Sequence, residues 1–154
     1  IKDAHSAEFR PDHKNNVVDL MPSQAGLQET GGSMRLGSYP AQLQKGSKIA
    51  SIYQSTDISE RHRHRYEVMN HFIPMLEKCG MQISGRNPEL NLVETIERAD
   101  HPWFIACQFH PELKSKPLLP HPLFASYIQA AYEFRKFRLG QERRQVEKAR
   151  TSHG

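Results

Sequence analysis

The sequence predicts an α/β chain, on three observations. Short apolar runs at 17–21, 39–43, 81–85, 90–96 and 103–107 have strand length and are bounded by turn residues. Two other segments, 70–80 and 123–137, carry apolar residues at helical spacing. The chain has 154 residues, enough for one domain with a true core.

Composition narrows the class. Hydrophobic residues make up 37% and charged residues 25%, an ordinary balance for a soluble domain. No apolar stretch approaches a membrane span and no signal peptide is visible, so no membrane partner is expected. The chain begins Ile1-Lys2, which reads as a piece of something longer. Two cysteines, Cys79 and Cys107, make no disulfide framework and suit a reducing compartment. The net charge of +4 is local: residues 135–150 hold seven Lys/Arg against two Glu. That basic segment has no interleaved aromatics beyond Phe134 and Phe137, so it makes a poor nucleic-acid surface.

Taken in order, 1–16 is a polar loop with a Pro-Asp turn that leads into the strand at 17–21. A flexible Gly/Ser/Gln/Thr connection follows at 22–32. Glycines bracket an Arg-bearing segment at 31–37, which lets it bend and lie close to a ligand; a strand bounded by turns explains it as well. A strand at 39–43, a turn at Gly46 and one or two helical turns at 48–53 come next. Residues 60–68 read Glu-Arg-His-Arg-His-Arg-Tyr-Glu-Val. In an extended segment this pattern puts Arg61, Arg63 and Arg65 on one face and His62, His64 and Tyr66 on the other. No metal site is expected there, because arginines repel a cation and no third ligand has the spacing. Forked guanidinium groups suit an anion such as a carboxylate, while a solvated edge strand is the plainer explanation.

The helix at 70–80 stops at Gly80 and puts Cys79 on its core face. Strands 81–85 and 90–96 pair through a turn at Asn87-Pro88-Glu89. The run 103–107 neither alternates nor carries charge, so it is expected to be buried on both faces. After Pro117, Pro120 and Pro122, the last helix packs Leu123, Phe124, Tyr127, Ile128, Ala131 and Phe134 onto the sheet and ends at Gly140. The charged 141–154 is expected as frayed helix or disorder. This divides the chain into a domain at 1–139 and a basic tail at 140–154.

The chemistry centres on 107–112, Cys-Gln-Phe-His-Pro-Glu. A residue before proline is pushed out of helical angles, so His110 is expected to be extended. Residues i and i+2 of an extended segment point the same way, with Cα atoms roughly 6.5 Å apart. His110 and Glu112 then face one site. The carboxylate fixes the imidazole tautomer and frees the second nitrogen as a base, two thirds of a nucleophilic triad. On its own, so short a string is more simply a strand-ending turn.

Three stretches together give it more weight: 31–37, 60–68, and 103–112 with the following Pro-His-Pro-Leu-Phe. They resemble the carboxy-terminal glutamine amidotransferase domain of the CTP synthase family, over about residues 1–137. The resemblance implies a class I, flavodoxin-like central mixed sheet with flanking helices, here N-terminally truncated. It implies glutamine hydrolysis at a cysteine, with ammonia passed to a synthase domain that aminates ATP-activated UTP to CTP. It matches His110 to the catalytic histidine, Glu112 to its orienting carboxylate, and Glu8 and Arg65 to glutamine-binding positions. The 31–37 segment resembles a mobile lid, with Arg35 where the GTP effector acts and Ser33 in place of a more usual threonine. No cofactor is implied for this part; ATP, Mg²⁺ and GTP belong to the full enzyme, a cytoplasmic homotetramer.

One feature of the family has no counterpart. The nucleophile elbow Gly-x-Cys-x-Gly is not in the chain, and neither Cys79 nor Cys107 has flanking glycines. The chain therefore reads as the base-bearing side of the site without its thiol, inactive alone and with an open sheet edge. The alternative is a non-catalytic remnant of the fold that acts in binding or assembly.

Overall fold

The computed structural model describes residues 1–20 and 34–151. Met21, the 22–32 connection, and the Gly31, Gly32 and Ser33 part of the expected lid lie outside the described residues.

The elements run β1 (His5–Ser6), β2 (Asn16–Leu20), β3 (Arg35–Leu43), α1 (Lys48–Tyr53), β4 (Asp57–His64), β5 (Tyr66–Val68), α2 (Ile73–Lys78), β6 (Met81–Arg86), β7 (Val93–Arg98), β8 (Ile105–Cys107) and α3 (Pro122–Thr151). Short 3₁₀ turns sit at Asn70–Phe72 and Pro111–Leu113. The strands form two sheets. The larger is antiparallel throughout, in the order β4-β3-β6-β7-β8. The smaller, β1-β2-β5, holds the parallel pair, β1 with β2.

The core lies between the large sheet and α1 with the start of α3. Leu43, Ile49, Ala50, Phe109 and Leu123 form it, with Trp103, Ile105 and Cys107 packed against it. Helix α1 is short, so its ends matter. Ser47 Oγ accepts from the Ala50 amide at 3.1 Å, and Gln54 closes the other end at φ 56°. Glu97 of β7 reaches across to accept from the Lys48 and Ile49 amides at 2.9 and 3.2 Å. A carboxylate at a helix N-terminus satisfies amides that have no partner within the helix.

Several elements differ from expectation. The strand expected at 39–43 begins at Arg35, because the whole segment pairs with β4 from Arg35↔His64 to Gln42↔Asp57. The strand expected at 90–96 begins at Val93, since Asn87 Oδ1 holds the Glu89 and Leu90 amides in a turn. The run 103–107 is not buried on both faces. Strand β8 is only three residues long and lies at the edge of the large sheet, with Ala106 exposed. An edge strand can lack charge because one face still meets the core. Cys79 is exposed rather than packed: it caps α2 after only six helical residues, before the helix can turn it inward.

Helix α3 departs most. It runs 30 residues, about 45 Å, straight through Gly140. Glycine disfavours a helix interior by about 1 kcal/mol but does not end one, and Gln, Glu, Arg and Ala around it are helix formers. Pairs such as Arg138 with Glu142 add i,i+4 support. Only the first turns dock. Leu123 is buried and Trp103 Nε1 donates to Ser126 Oγ at 3.1 Å, but Phe124, Tyr127, Ile128 and Phe134 are exposed. Their helical spacing is real, but among the described residues they are covered only in part, with Trp103 against Tyr127 at 5.1 Å and His121 against Phe124 at 5.8 Å between ring centroids.

Glycine is required at Gly85, where β6 slips register against β7. A Cβ there would sit 2.5 Å from Thr95 Oγ1 and 2.8 Å from a Leu43 methyl. Replacing glycine with alanine stabilises by up to about 1 kcal/mol through the unfolded chain. Overpacking costs about 1–3 kcal/mol and should win here. Gly85→Ala should therefore lower the urea midpoint with an unchanged m-value, and an equal or higher midpoint would count against this packing.

Candidate active site

Strand β4 alternates as a period-two strand should. Arg61 and Arg63 point outward, while Glu60 and His62 are each 1% exposed. Arg65 is also exposed, in the one-residue break between β4 and β5. Strand β4 is an edge of the large sheet, so its arginine row lies along an open rim.

His110 follows the core residue Phe109 and has φ −108° and ψ 90°, extended as the following proline requires. Its amide donates to Arg61 O at 2.8 Å, which sets the loop against β4. His110 Nδ1 lies 2.7 Å from Glu112 Oε1. The expected contact is present, but its origin differs. A 3₁₀ turn begins at Pro111, so a turn rather than strand alternation brings the carboxylate back to the ring. With Nδ1 engaged, Nε2 is the ring nitrogen available to act on another group. The pair is open to solvent, with side chains 34% and 56% exposed. Burial opposes charge on Glu112, yet its own backbone amide, the His110 contact and Arg63 hold its carboxyl below the usual range.

Behind His110 lies a buried ionic cluster. The His64 ring stacks on His110 with centroids 6.5 Å apart and planes 26° apart. His64 Nε2 meets Glu67 Oε1 at 2.9 Å, and Glu67 accepts from Arg35 Nη1 at 3.2 Å. Arg35 Nη2 donates to Glu94 Oε1 at 2.6 Å. His62 Nε2 lies 3.3 Å from Glu94 Oε2 without hydrogen-bond geometry. Burial pushes the Glu94 carboxyl up to about 7 against the pull of Arg35. Burial, then Arg35 and His64, hold His62 down to about 3, so it is neutral.

Arg35 thus differs from its expected place. The lid reading exposes it to an effector, but it is 4% exposed and its guanidinium is taken up by two carboxylates. The described end of the expected lid, Arg35 to Gly37, is here strand paired with β4.

Glu8 and Arg65 are both exposed. The small sheet sets them at one end. The Ala7 amide donates to Val18 O at 2.9 Å, just before Glu8, and Leu20 is paired with Tyr66, just after Arg65. Arg65 also adjoins His64, which stacks on His110. The Cys107 thiol is held by Phe109 O at 3.4 Å and pushed up to about 12 by burial, then by Glu60, Glu112 and Glu94. A nucleophilic cysteine needs the opposite, a thiolate favoured by its surroundings.

Glu60, Glu67, Glu94, Lys114 and His121 were not singled out by sequence reasoning. A signal was available for Glu94: a carboxylate inside the apolar run Leu92-Val93-Glu94-Thr95-Ile96 stays buried only with a partner.

The chain belongs to the class-I glutamine amidotransferase family, whose pattern residues 15–130 match. Among its curated relatives are CTP synthases. It is 56% identical over 135 residues to that of Geobacter metallireducens, covering 88% of this chain and 25% of the relative. It is 47% identical over 131 residues to that of Listeria monocytogenes, covering 85% and 25%. The chain therefore spans about a quarter of the length of the curated relatives it matches. Among solved structures it resembles the Trypanosoma brucei CTPS glutaminase domain with bound acivicin. That match has TM-score 0.77 and 36% identity over 85% of this chain and 51% of that one. The fold is that of a class I amidotransferase.

The buried cluster makes a pH prediction. Glu94 is held near 7 against an ordinary 4.5, so the native state takes up a proton between those values that the unfolded chain does not. Acidification from 7 to 4.5 then stabilises the fold. His62 is held near 3 against 6.5, so over that range the unfolded chain takes the proton, and acidification destabilises. The two offset between 6.5 and 4.5. Below 4.5 the His62 loss continues alone, joined by Glu60 and Glu112, whose carboxyls are also held low. Tm should be nearly flat from pH 6.5 to 4.5 and then fall. In His62→Gln, Tm should rise as pH drops from 7 to 4.5; an unaltered profile in that variant would refute the cancellation.

Proposed function

We propose that this chain is the base-bearing part of the glutaminase site of a CTP synthase. The contact of His110 Nδ1 with Glu112 carries this reading, together with the match to CTP synthases. In the reading, a cysteine from sequence beyond this chain gives its proton to His110 Nε2. Glu112 holds the imidazole tautomer and stabilises the imidazolium that forms. The thiolate attacks the glutamine amide, and His110 returns the proton to the departing ammonia. Arg65 takes the substrate carboxylate and Glu8 its ammonium, the pairing that opposite charges favour. Water then releases glutamate.

The ammonia goes to a synthase domain that aminates ATP-activated UTP. ATP and Mg²⁺ act at that second site, and no residue of this chain is assigned to them. The cytoplasm and a homotetramer follow from the same reading, with 1–139 as the amidotransferase part and 140–154 as a basic extension. Among the described residues no helix is long and apolar enough to cross a membrane. The raised Cys107 thiol and the missing glycine elbow favour one second reading, a non-catalytic remnant of the fold.

The test is glutamate release from glutamine by a polypeptide that carries this chain with its natural upstream sequence. Activity should appear there and fall by about a thousandfold or more in His110→Ala. Activity retained in His110→Ala would sink the enzyme reading. A Gly-x-Cys-x-Gly elbow in the upstream reading frame supports it, and a start codon at once before Ile1 supports the remnant.

A further inference from the structure

The loop that carries His110 and Glu112 is exposed, so burial does not place the pair. The described loop 110–121 is fastened to the rest of the fold at three places. The His110 amide donates to Arg61 O. Lys114 Nζ donates to Ser59 O at 2.7 Å and to Glu60 Oε1 at 3.1 Å. His121 Nε2 meets Glu60 Oε1 at 3.1 Å. The Leu123 amide donates to His121 Nδ1, so the ring proton is on Nε2 and points at the carboxylate. Tyr53 of α1 donates to the same oxygen at 3.0 Å.

One buried carboxylate therefore holds the loop both just after Glu112 and at its far end. We propose that Glu60, acting through Lys114 and His121, is the positioning residue for the His110–Glu112 pair. The arrangement makes little sense as stabilisation alone. Lys114 is 43% exposed and Glu60 1%, so its ammonium reaches in from solvent to a carboxylate that His121 and Tyr53 already meet. Its two acceptors are neighbours in β4, beside the residue whose carbonyl registers His110. Tyr53 fits the same role: its hydroxyl meets both Glu60 Oε1 and His121 Nε2, at 3.0 and 3.1 Å, and so ties the anchor and the loop's far end to α1. Burial opposes charge on Glu60, but the hydrogen bonds from His121, Lys114 and Tyr53 hold its carboxyl low, so the anchor is an anion at neutral pH.

The inference rests on the glutaminase reading, and the experiment has two arms. In the chain as it stands, the carboxyl titration of Glu112 is followed by NMR in Lys114→Met, which removes a partly exposed side chain while His121 and Tyr53 still meet Glu60. The Glu112 midpoint should rise toward the ordinary carboxylate value as the contact with His110 loosens, and Lys114→Arg should restore it. In the polypeptide with upstream sequence, Lys114→Met and Glu60→Gln should each lower kcat for glutamine hydrolysis on the order of tenfold to a hundredfold, with KM unchanged. The double variant should lose no more than Glu60→Gln alone.

An unchanged Glu112 midpoint in Lys114→Met overturns the proposal, as does a loss that appears in KM instead of kcat. If His110→Ala keeps activity, the glutaminase reading fails, and the Glu112 titration alone decides whether Glu60 places the pair.

Discussion

Arg35 is the constraint on which the two sheets depend. It leaves β3 in the large sheet, meets Glu67 on β5 of the small sheet, and meets Glu94 on β7 of the large one. Removing one partner from a buried pair costs about 3–5 kcal/mol, because the charge left behind has no water. Few other described contacts cross between the sheets with such directional demand. Arg35 is also stacked over Tyr39, 4.6 Å from the ring centroid, which leaves it little rotamer freedom. A guanidinium suits this place better than an ammonium, since its fork serves two carboxylates at once.

The site is built outward from that cluster. Glu67, steadied by Arg35, holds His64, and His64 is the surface against which the His110 ring lies. A second buried carboxylate, Glu60, lies two residues from His62 along the same strand. Alternation along β4 thus sends carboxylate and imidazole inward while its arginines stay at the rim. The protein commits buried ionisable groups to place an exposed pair. That is costly unless every charge finds a partner, which is why these groups occur as connected sets. The edge position of β8 and the partly covered face of α3 fit a chain that matches about half of a solved glutaminase domain.

Much of the local order is legible in the residues. Period-two alternation locates β4 and the burial of His62, and Gly80 ends the second helix as its left-handed φ of 84° permits. The proline after His110 keeps that residue extended. The departures share a cause. Sequence patterns report how many apolar faces an element has, not whether a neighbour is there to cover them. The apolar run at 103–107 reads as buried on both faces, yet β8 is an edge; the helical stripe on α3 reads as packed, yet it is exposed. Gly140 reads as a stop because no local signal says how long a helix of good formers persists.

The sequence by itself determined which residues could do acid–base chemistry and which family's motifs they form, because side-chain type and close spacing are written in the chain. It also determined that neither cysteine sits on a glycine elbow. Only the tertiary structure decided that Arg35 is an internal tie, that Glu60 grips Lys114 and His121, 54 and 61 residues away, and that burial raises the Glu94 carboxyl and keeps His62 neutral. Those outcomes depend on burial and on partners distant in sequence, and the cost of desolvating a charge is set by three-dimensional surroundings that no local pattern contains.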